Sequence, residues 1–214
     1  MYKWNPKIAK VGKITRKLLI NKIAQKKLIN DEFTIFSNDC FAGQVYHIMG
    51  KQFKSPTVNC FIRPIDFVKF LENVDWYLNQ ELIEVESSLP YPVAKLGNIH
   101  VYMVHYKTFD DGKRKWEERK RRINWDNVYV YMTDRYCLPM EYRKRYDNLP
   151  FKNKVLLTVN KHEGIECEKI LKYKNDECCV GVSAQIQNIF GKFLFEYTED
   201  WNYISWLNHD IVKL

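Results

Sequence analysis

Residues 33–43 read FTIFSNDCFAG, and the interpretation of the whole chain starts from this stretch. Four strand-favouring residues come first, followed by small polar side chains, a thiol and a glycine that opens a helix-like segment. A short apolar run ended by turn-forming residues is typical of a buried β-strand. In a parallel sheet, the residues between a strand's carboxyl end and the next helix border the ligand crevice. The sequence therefore predicts a functional site at the four residues after the strand: Ser37, Asn38, Asp39 and Cys40.

A purely structural interpretation of the same residues stays open. Serine, asparagine and aspartate side chains are good helix N-caps, so this turn needs no ligand to explain its composition. Cys40 would then be one buried thiol. Both interpretations place a strand before Ser37 and a helix after Cys40.

The remaining chain indicates an α/β protein with a mostly parallel sheet. Its 214 residues are 46% apolar and 15% aromatic, which suits a single domain over residues 1–214. Strand-like runs at 33–36, 98–106, 128–134 and 154–159 alternate with helical patterns at 44–49, 64–78, 113–123 and 139–148. Such alternation predicts βαβ units. Residues 82–97 are expected to form short strands or loop, and residues 199–208 a short aromatic helix.

The charge of the chain is concentrated at its start. The formal net charge is +8, and residues 1–30 hold nine Lys and Arg and no acidic residue. Residues 7–29 form a basic amphipathic pattern, with Lys10, Lys13 and Lys17 on one helix face. Because Leu18, Leu19 and Ile20 are consecutive, we expect the apolar side to be buried against the sheet. Peripheral contact with a membrane surface is the alternative.

The six cysteines and the start of the sequence suggest a cytoplasmic protein. Peripheral contact with a membrane is compatible with this location. No CxxC pair occurs, and a chain of this size with scattered cysteines suits reduced thiols better than disulfides. We expect no metal, because Cys167, Cys178, Cys179 and His162 fit no zinc spacing. The first residues lack the apolar core of a signal peptide, and no tract is long enough to span a bilayer.

Several common catalytic signatures do not occur in the sequence. There is no GxGxxG, GxxxxGK[ST], GxSxG or HExxH motif, which argues against the usual dinucleotide, P-loop, serine-hydrolase and zinc-protease classes. Nor is there an Asp-x-Asp pair of the kind that metal-dependent sugar transferases use.

A thiol–imidazole arrangement is the chemistry that the residues do allow. Cys40 at a helix N-terminus would have its thiolate favoured by the helix dipole. His105 ends another predicted strand, so it can reach the same crevice and act as the base. Asp39 would orient the imidazole or simply cap the helix. The alternative for His105 is an ordinary histidine at a strand end.

Other polar residues are candidates for binding a substrate. Arg119 and Arg122 can clamp a phosphate through bidentate hydrogen bonds, although charged helix faces are commonly just solvated. Asn59, Asn124 and Asn127 can supply amide hydrogen bonds to a sugar, although asparagine is also an ordinary turn residue.

The motifs in combination resemble a bacterial family of unknown function whose members are commonly labelled exopolysaccharide or capsular polysaccharide biosynthesis proteins. The residues that carry the resemblance are Phe36-Ser37-Asn38-Asp39-Cys40 with Gly43, Ser55-Pro56-Thr57 with Asn59, Asp66 with Lys69-Phe70, His105-Tyr106, and Trp116-x-x-Arg119-x-x-Arg122-Ile123-Asn124 with Asn127. The resemblance covers residues 33–159, leaving 1–30 as a basic helix and 160–214 as a C-terminal elaboration. It implies a three-layer α/β/α, Rossmann-like fold and a place in surface-polysaccharide assembly.

These observations lead to a set of expected site residues. Cys40, His105 and Asp39 are expected to be catalytic. The expected substrate-binding residues are Ser37, Asn38, Gly43, Ser55, Thr57, Asn59, Trp116, Arg119, Arg122, Asn124 and Asn127.

The expected function is a transferase that modifies a sugar, with acyl transfer as the first choice. The chain is also similar, more loosely, to capsule acetyltransferases with an Asn-Cys pair after the first strand; here Asp39 separates Asn38 from Cys40. Coenzyme A or a nucleotide sugar is the expected donor, and a small-molecule or lipid-linked sugar the expected substrate. The alternatives are glycosyl or phosphoryl transfer, and a non-catalytic basic module that binds polyanions. Nucleic acid is not expected, because aromatic residues do not interleave with the basic patches.

Overall fold

The computed structural model describes residues 6–171, 179–181, 183 and 190–209. The strands in this part are β1 (Thr34–Ser37), β2 (Leu82–Val85), β3 (Val93–Leu96), β4 (Ile99–Tyr102), β5 (Val128–Thr133), β6 (Asn153–Thr158) and β7 (Glu168–Ile170). The α-helices are α1 (Pro6–Thr15), α2 (Asn21–Lys27), α3 (Phe41–Met49), α4 (Pro64–Glu72), α5 (Val74–Leu78), α6 (Phe109–Lys120), α7 (Met140–Asp147) and α8 (Tyr203–Leu207). A π-helical turn, Arg16–Ile20, joins α1 to α2.

A parallel sheet of four strands forms the centre of the mixed α/β fold. Its strand order is β1-β5-β6-β7, and each neighbouring pair is parallel. Ser37 pairs with Tyr131, and Thr133 pairs with Leu157, so β1, β5 and β6 end at the same edge. The predicted parallel sheet is therefore confirmed.

Both faces of this sheet are buried under other elements. Ile35 and Tyr131 point into a cluster that includes Phe41 of α3, whereas Phe36 and Val130 point into a cluster on the other face. The second cluster also takes in α4, α6, α7 and the second sheet, with Trp116 of α6 among its members. The period of two along each strand divides the apolar residues between the two clusters.

The second sheet is antiparallel, and this corrects the prediction for residues 98–106. β4 pairs with β3, and β3 with β2, in a separate meander instead of the parallel sheet. Only two residues, Gly97 and Asn98, separate the pair Leu96–Ile99, and Gly97 has φ of 58°. A two-residue turn forces antiparallel pairing, since a parallel connection needs a crossover of a dozen or more residues.

The N-terminal helical segment forms as predicted, but its apolar residues face outward. Leu18 and Leu19 are 56% and 60% exposed, so the expected burial of this side is wrong. Arg16 and Ala24 occupy the inward face instead. Arg16 forms an ion pair with Glu196, 2.6 Å between Nη1 and Oε2, and this pair sets the rotation of the helix.

The cysteines differ in part from the sequence expectation. Cys40, Cys60, Cys167 and Cys179 are free, but Cys137 is disulfide-bonded. The prediction of reduced thiols is therefore wrong for Cys137, because disulfide pairing depends on proximity in the fold and not on sequence spacing. The described residues hold no group of three His, Cys, Asp or Glu side chains that could take a metal ion, and Cys178 lies outside them.

No helix in the described ranges combines the length and the apolar character needed to cross a lipid bilayer.

A buried ionic network joins the ends of β5, β6 and β7. Arg143 of α7 contacts Asp134 at 2.8 Å and Glu168 at 2.9 Å, and Thr158 donates a hydrogen bond to Asp134. Both carboxylate side chains are fully buried, and the Arg143 side chain is 4% exposed. Removing one partner from such a network leaves a buried charge uncompensated, which is strongly destabilising.

The arginine pair on α7 gives a stability prediction. Arg143→Met is expected to lower the free energy of unfolding by about 3–5 kcal/mol, because Asp134 and Glu168 lose their counter-charge. Arg145 lies two residues after Arg143 on α7 and forms a partly exposed ion pair with Glu72 of α4. The matched change Arg145→Met removes this pair and should lower the free energy of unfolding by no more than about 1 kcal/mol. Urea denaturation of both variants measures the difference; equal losses would contradict a special role for the buried network.

Candidate active site

The turn between β1 and α3 is held by its own side chains. Ser37 Oγ accepts the Ala42 N–H and donates to the Asp39 carbonyl, while Asp39 Oδ1 accepts the Phe41 N–H at 2.9 Å. These bonds satisfy two of the N–H groups that a helix leaves unpaired at its start. Cys40 therefore lies at the first position before α3, with its side chain half-buried.

Asn38 connects this turn to two other parts of the chain. Its side-chain amide donates to the Thr133 carbonyl at 3.3 Å and accepts the Thr133 N–H at 3.0 Å. Its backbone carbonyl accepts the Ile62 N–H. The ends of β1 and β5 and the segment before α4 thus meet at one fully buried residue.

Cys40 and His105 meet at this edge of the sheet. Cys40 Sγ lies 3.1 Å from His105 Nε2, a distance suited to a thiol–imidazole hydrogen bond. His105 belongs to the loop after β4, and the next residue, Tyr106, is anchored by its hydroxyl to the Val58 carbonyl and to Arg119. The antiparallel sheet thereby carries His105 to the turn after β1.

A cavity of about 410 Å³ opens onto the Cys40–His105 pair. Its lining comprises Asp39, Cys40, Phe61, Arg63, Leu89, Tyr91, Tyr102, Val104, His105, Arg135 and Tyr136. The Arg135 guanidinium lies 5.1 Å from the ring centroids of both Phe61 and Tyr136, and Arg63 lies 5.7 Å from that of Tyr102. The cavity therefore combines a thiol, an imidazole, two guanidinium groups and several aromatic rings.

The resting state of Cys40 is the thiol. Burial raises the pKa of Cys40 to about 12, and the Asp39 carboxylate adds to the rise, whereas Arg135 opposes it. The thiolate expected at a helix start is therefore not favoured here, because burial of the thiol and the neighbouring Asp39 carboxylate disfavour the charged form. Among the described residues, His105 Nε2 is the nearest group that could accept the proton of this thiol.

Asp39 caps α3. Besides the Phe41 N–H, its carboxylate accepts a hydrogen bond from Ser183 Oγ at 2.7 Å. Burial raises the pKa of Asp39, against the lowering effect of these hydrogen bonds and of Arg135. Among the described residues, the Asp39 carboxylate accepts hydrogen bonds from Phe41 and Ser183 and forms none with His105. This carboxylate therefore does not orient the imidazole.

Four other residues predicted to bind a substrate are not part of the cavity lining. They lie around the β1–α3 turn and the first turn of α3. Thr57 Oγ1 accepts the Ser37 N–H and lies 3.0 Å from Ser55 Oγ, and both side chains are fully buried. Gly43 brings α3 close to Asn59, whose Oδ1 lies 3.1 Å from where a Cβ on Gly43 would stand. Asn59 adopts a left-handed conformation, φ 66°, which asparagine tolerates. Their predicted contact with a substrate stays a prediction.

The basic helix motif lies outside the cavity lining as well. Trp116 is a core residue, 1% exposed, and Arg119 is buried with its guanidinium on the Val58 carbonyl and the Tyr106 hydroxyl. Arg122 contacts the Phe53 carbonyl at 3.4 Å and Glu118 at 3.6 Å. Arg119 thus positions the loop that carries His105, and the cations that line the cavity are Arg63 and Arg135.

Asn124 and Asn127 lie at the opposite end of the parallel sheet. Both side chains donate to the Glu32 carbonyl just before β1, and Asn127 also donates to Asn30. They tie the start of β5 to the start of β1. The structure therefore groups Asp39, Cys40 and His105 at the cavity and separates them from these two asparagines.

The two cavity arginines and Tyr136 are not among the site residues predicted from the sequence. Arg135 comes two residues after the carboxyl end of β5, the neighbour of β1, so its position at the strand end was the available signal. Tyr136 and Cys137 have φ of 65° and 54°, an unfavourable conformation for residues other than glycine. No local pattern marks Arg63, which precedes the proline that begins α4.

The chain matches one family model over residues 11–208, described as a domain of unknown function, DUF1919. The chain belongs to the DUF1919 family. A relative from Haemophilus influenzae, an uncharacterized protein, is 32% identical over 194 residues, which cover 91% of this chain and 93% of the relative. The match includes the β1 turn, the His105 loop and the Arg135 loop, so the whole cavity lies within the family region.

The protonation state of Cys40 gives a testable prediction. With a pKa of about 12, the alkylation rate of Cys40 by iodoacetamide should rise about tenfold per pH unit between about pH 7 and pH 10, because only the thiolate reacts. Mass spectrometry of the Cys40 peptide measures this rate separately from the other cysteines.

The variant Asp39→Asn keeps a capping side chain and removes a negative charge, so it should alkylate faster at each pH. A rate that levels off below about pH 8 would instead indicate a preformed thiolate–imidazolium pair.

Proposed function

We propose that this chain is a transferase that moves an acyl group from a thioester donor to a hydroxyl of a bacterial surface polysaccharide or its precursor. The observation that carries the proposal is the 3.1 Å contact of Cys40 Sγ and His105 Nε2 in an open cavity. A thiol next to an imidazole base is a standard arrangement for covalent acyl transfer. The resemblance to polysaccharide biosynthesis proteins supports the choice of acceptor.

The first half-reaction transfers the acyl group to the enzyme. His105 Nε2 takes the Cys40 proton as Sγ attacks the carbonyl carbon of the donor thioester. The tetrahedral intermediate collapses, the bond to the donor sulfur breaks, and the imidazolium returns its proton to the departing thiolate. The raised pKa of Cys40 is consistent with this order, since the thiol loses its proton only as the new bond forms.

The second half-reaction transfers the acyl group to the sugar. His105 takes the proton of the sugar hydroxyl, whose oxygen attacks the carbonyl of the Cys40 thioester. Cys40 Sγ leaves and is protonated by the imidazolium, which restores the starting state. One base thus acts in both halves, and no oxidant or reductant is required.

Arg135 is the group we propose to stabilise the negative charge of the intermediate. The Phe41 and Ala42 N–H groups, which a helix start would otherwise offer to an oxyanion, are bonded to Asp39 and Ser37. Arg135 lines the cavity, and its charge opposes the rise in the Cys40 pKa.

The cavity walls are suited to a substrate with both a ring and an anionic group. Phe61, Tyr91, Tyr102 and Tyr136 present aromatic surface for stacking, while Arg63 and Arg135 can bind phosphates. A second cavity of about 420 Å³ shares Arg63, Arg135 and Tyr136 with the first. Two cavities that share these three residues suit a donor and an acceptor bound together.

The proposal includes a cytoplasmic site of action and a three-layer, Rossmann-like arrangement. Coenzyme A thioesters and sugar nucleotides are cytoplasmic metabolites, which supports the location. The Cys137 disulfide is an observation that weighs against this location, because disulfides are rare in the reducing cytoplasm. The two apolar clusters on opposite faces of the parallel sheet support the layered arrangement.

Glycosyl or phosphoryl transfer from a nucleotide sugar is the second candidate. The arginine pair and the aromatic wall favour it, because both groups suit a nucleotide diphosphate and a sugar ring. It leaves the Cys40 thiol without a covalent role, and that difference separates the two candidates.

The acyl-enzyme is the direct test of the leading proposal. Wild-type protein incubated with acetyl-coenzyme A should gain one acetyl group on Cys40, detected by intact-mass and peptide mass spectrometry and removed by hydroxylamine. Cys40→Ala should gain none. His105→Ala should acylate about 10²–10⁴-fold more slowly, because the base is lost.

Matched controls are available for both residues. Cys167→Ala removes another half-buried free thiol and His100→Ala another exposed histidine, and neither residue lines the cavity. Both should acylate like the wild type. Acetylation that persists in Cys40→Ala, or a thermal shift with a nucleotide sugar and none with coenzyme A thioesters, would favour the second candidate.

Arg135 gives a separate prediction. Arg135→Met should slow acylation of Cys40 by about 10²–10³-fold, since one charge-stabilising donor is lost, and Arg135→Lys should recover part of the rate. The control Arg121→Met removes an exposed arginine that does not line the cavity. Single-turnover mass spectrometry measures the rates, and an unchanged rate in Arg135→Met would contradict the role.

A further inference from the structure

The N-terminal helical segment presents an apolar strip to solvent. We call this strip the outward strip; its members are Val11, Ile14, Leu18, Leu19 and Ile23. Each of these side chains is more than half exposed. Large contiguous apolar patches are rare on the surface of monomeric proteins, and where they occur they mark interaction sites.

The fold holds the outward strip away from the core. Arg16 is buried at 4% exposure, and its guanidinium forms two contacts to the Glu196 carboxylate, at 2.6 and 3.2 Å, and one to the Gly191 carbonyl. The same guanidinium lies 4.1 Å from the centroid of the Phe193 ring. Turning the strip inward would break this buried ion pair, which is strongly unfavourable.

A π-helical turn keeps the inward face aligned along the segment. The inward residues Gly12, Arg16 and Ala24 are separated by four and eight residues, and an α-helix rotates by about 40° with every four residues. In the π-turn the Asn21 N–H donates to the Arg16 carbonyl, five residues back, which reduces this rotation. Because the inward face stays aligned, the apolar strip stays outward on both sides of the turn.

Lysines accompany the outward strip. Lys10, Lys13, Lys17, Lys22, Lys26 and Lys27 are all exposed, and no acidic residue occurs between residues 10 and 30. A contact between protein chains is usually depleted in lysine, and binding to nucleic acid does not require a leucine strip. Aliphatic side chains flanked by lysines match an anionic bilayer, in which the lysine stems reach the headgroups while the aliphatic groups enter the acyl boundary.

We propose that the outward strip and its lysines dock this chain on the surface of an anionic phospholipid bilayer. The segment lies in the plane of the interface, with the inward face held to the protein by Arg16. Membrane binding through this surface does not depend on the reaction in the cavity. It can therefore be tested separately from the proposed transferase activity.

Vesicle co-sedimentation of the full chain tests this proposal. The protein should sediment with vesicles of phosphatidylcholine mixed with phosphatidylglycerol, bind far less to phosphatidylcholine alone, and be released by salt. The double variants Lys13→Glu with Lys17→Glu, and Leu18→Ser with Leu19→Ser, should each lose about tenfold or more in partitioning.

The control variant is Lys95→Glu with Lys144→Glu, which makes the same charge change at exposed lysines on β3 and α7. It should bind like the wild type, and equal thermal unfolding midpoints should show that all variants fold. Absence of binding to the anionic vesicles would overturn the proposal, as would equal losses in the control. Another result would assign the strip to a second copy of the chain instead. In that case the wild type would not bind vesicles and would elute as a dimer in size-exclusion chromatography, and the Leu18/Leu19 variant would elute as a monomer.

Discussion

The side chain of Asn38 is the constraint on which the candidate site depends. The side-chain amide of Asn38 exchanges two hydrogen bonds with the Thr133 backbone, and the backbone carbonyl of Asn38 accepts the Ile62 N–H. Cys40 follows Asn38 by two residues, Arg135 follows Thr133 by two, and Arg63 follows Ile62. One buried residue thus connects three segments, through its side chain and its backbone carbonyl, and each segment contributes a residue to the cavity. Leaving these backbone groups unpaired in the interior would be costly, so the three hydrogen bonds favour this arrangement of the segments.

Electrostatics at this edge follow from how completely the turn satisfies itself. Ser37 and Asp39 occupy the first N–H groups of α3, so the helix start offers little to a thiolate. Burial and the Asp39 charge together raise the pKa of Cys40, and Arg135 is the named opposing charge. A base is therefore required for the thiol to react, and His105 is in contact with it. Asp134 directly precedes Arg135, and its ion pair with Arg143 anchors this part of the loop.

Much of the fold was predictable because its information is local. The apolar runs of β1, β5 and β6 end in polar residues, and the helices between them have clear periodicity, so the parallel sheet was predicted correctly. The apolar run at 98–106 favours a strand of that sheet, but the two-residue turn Gly97-Asn98 pairs β4 with β3 instead. Cys40 and His105 were expected to share a crevice as ends of parallel strands; they are 3.1 Å apart, but an antiparallel meander brings His105 there. Arg63 and Arg135 could not be chosen over Arg119 and Arg122, because burial of a guanidinium is decided by distant partners.

The amino-acid sequence alone determined most of the strands and helices, the turn-forming residues after β1, the presence of a cysteine and a histidine at two strand ends, and the basic character of the N-terminal segment. These properties depend on periodicity and on residues a few positions apart. The tertiary structure decided which arginines face the cavity, that Cys40 rests as a thiol, that Cys137 is in a disulfide, and that Leu18 and Leu19 face solvent. Each of these depends on groups far apart in the chain, such as Arg16 and Glu196, whose contact no local pattern encodes.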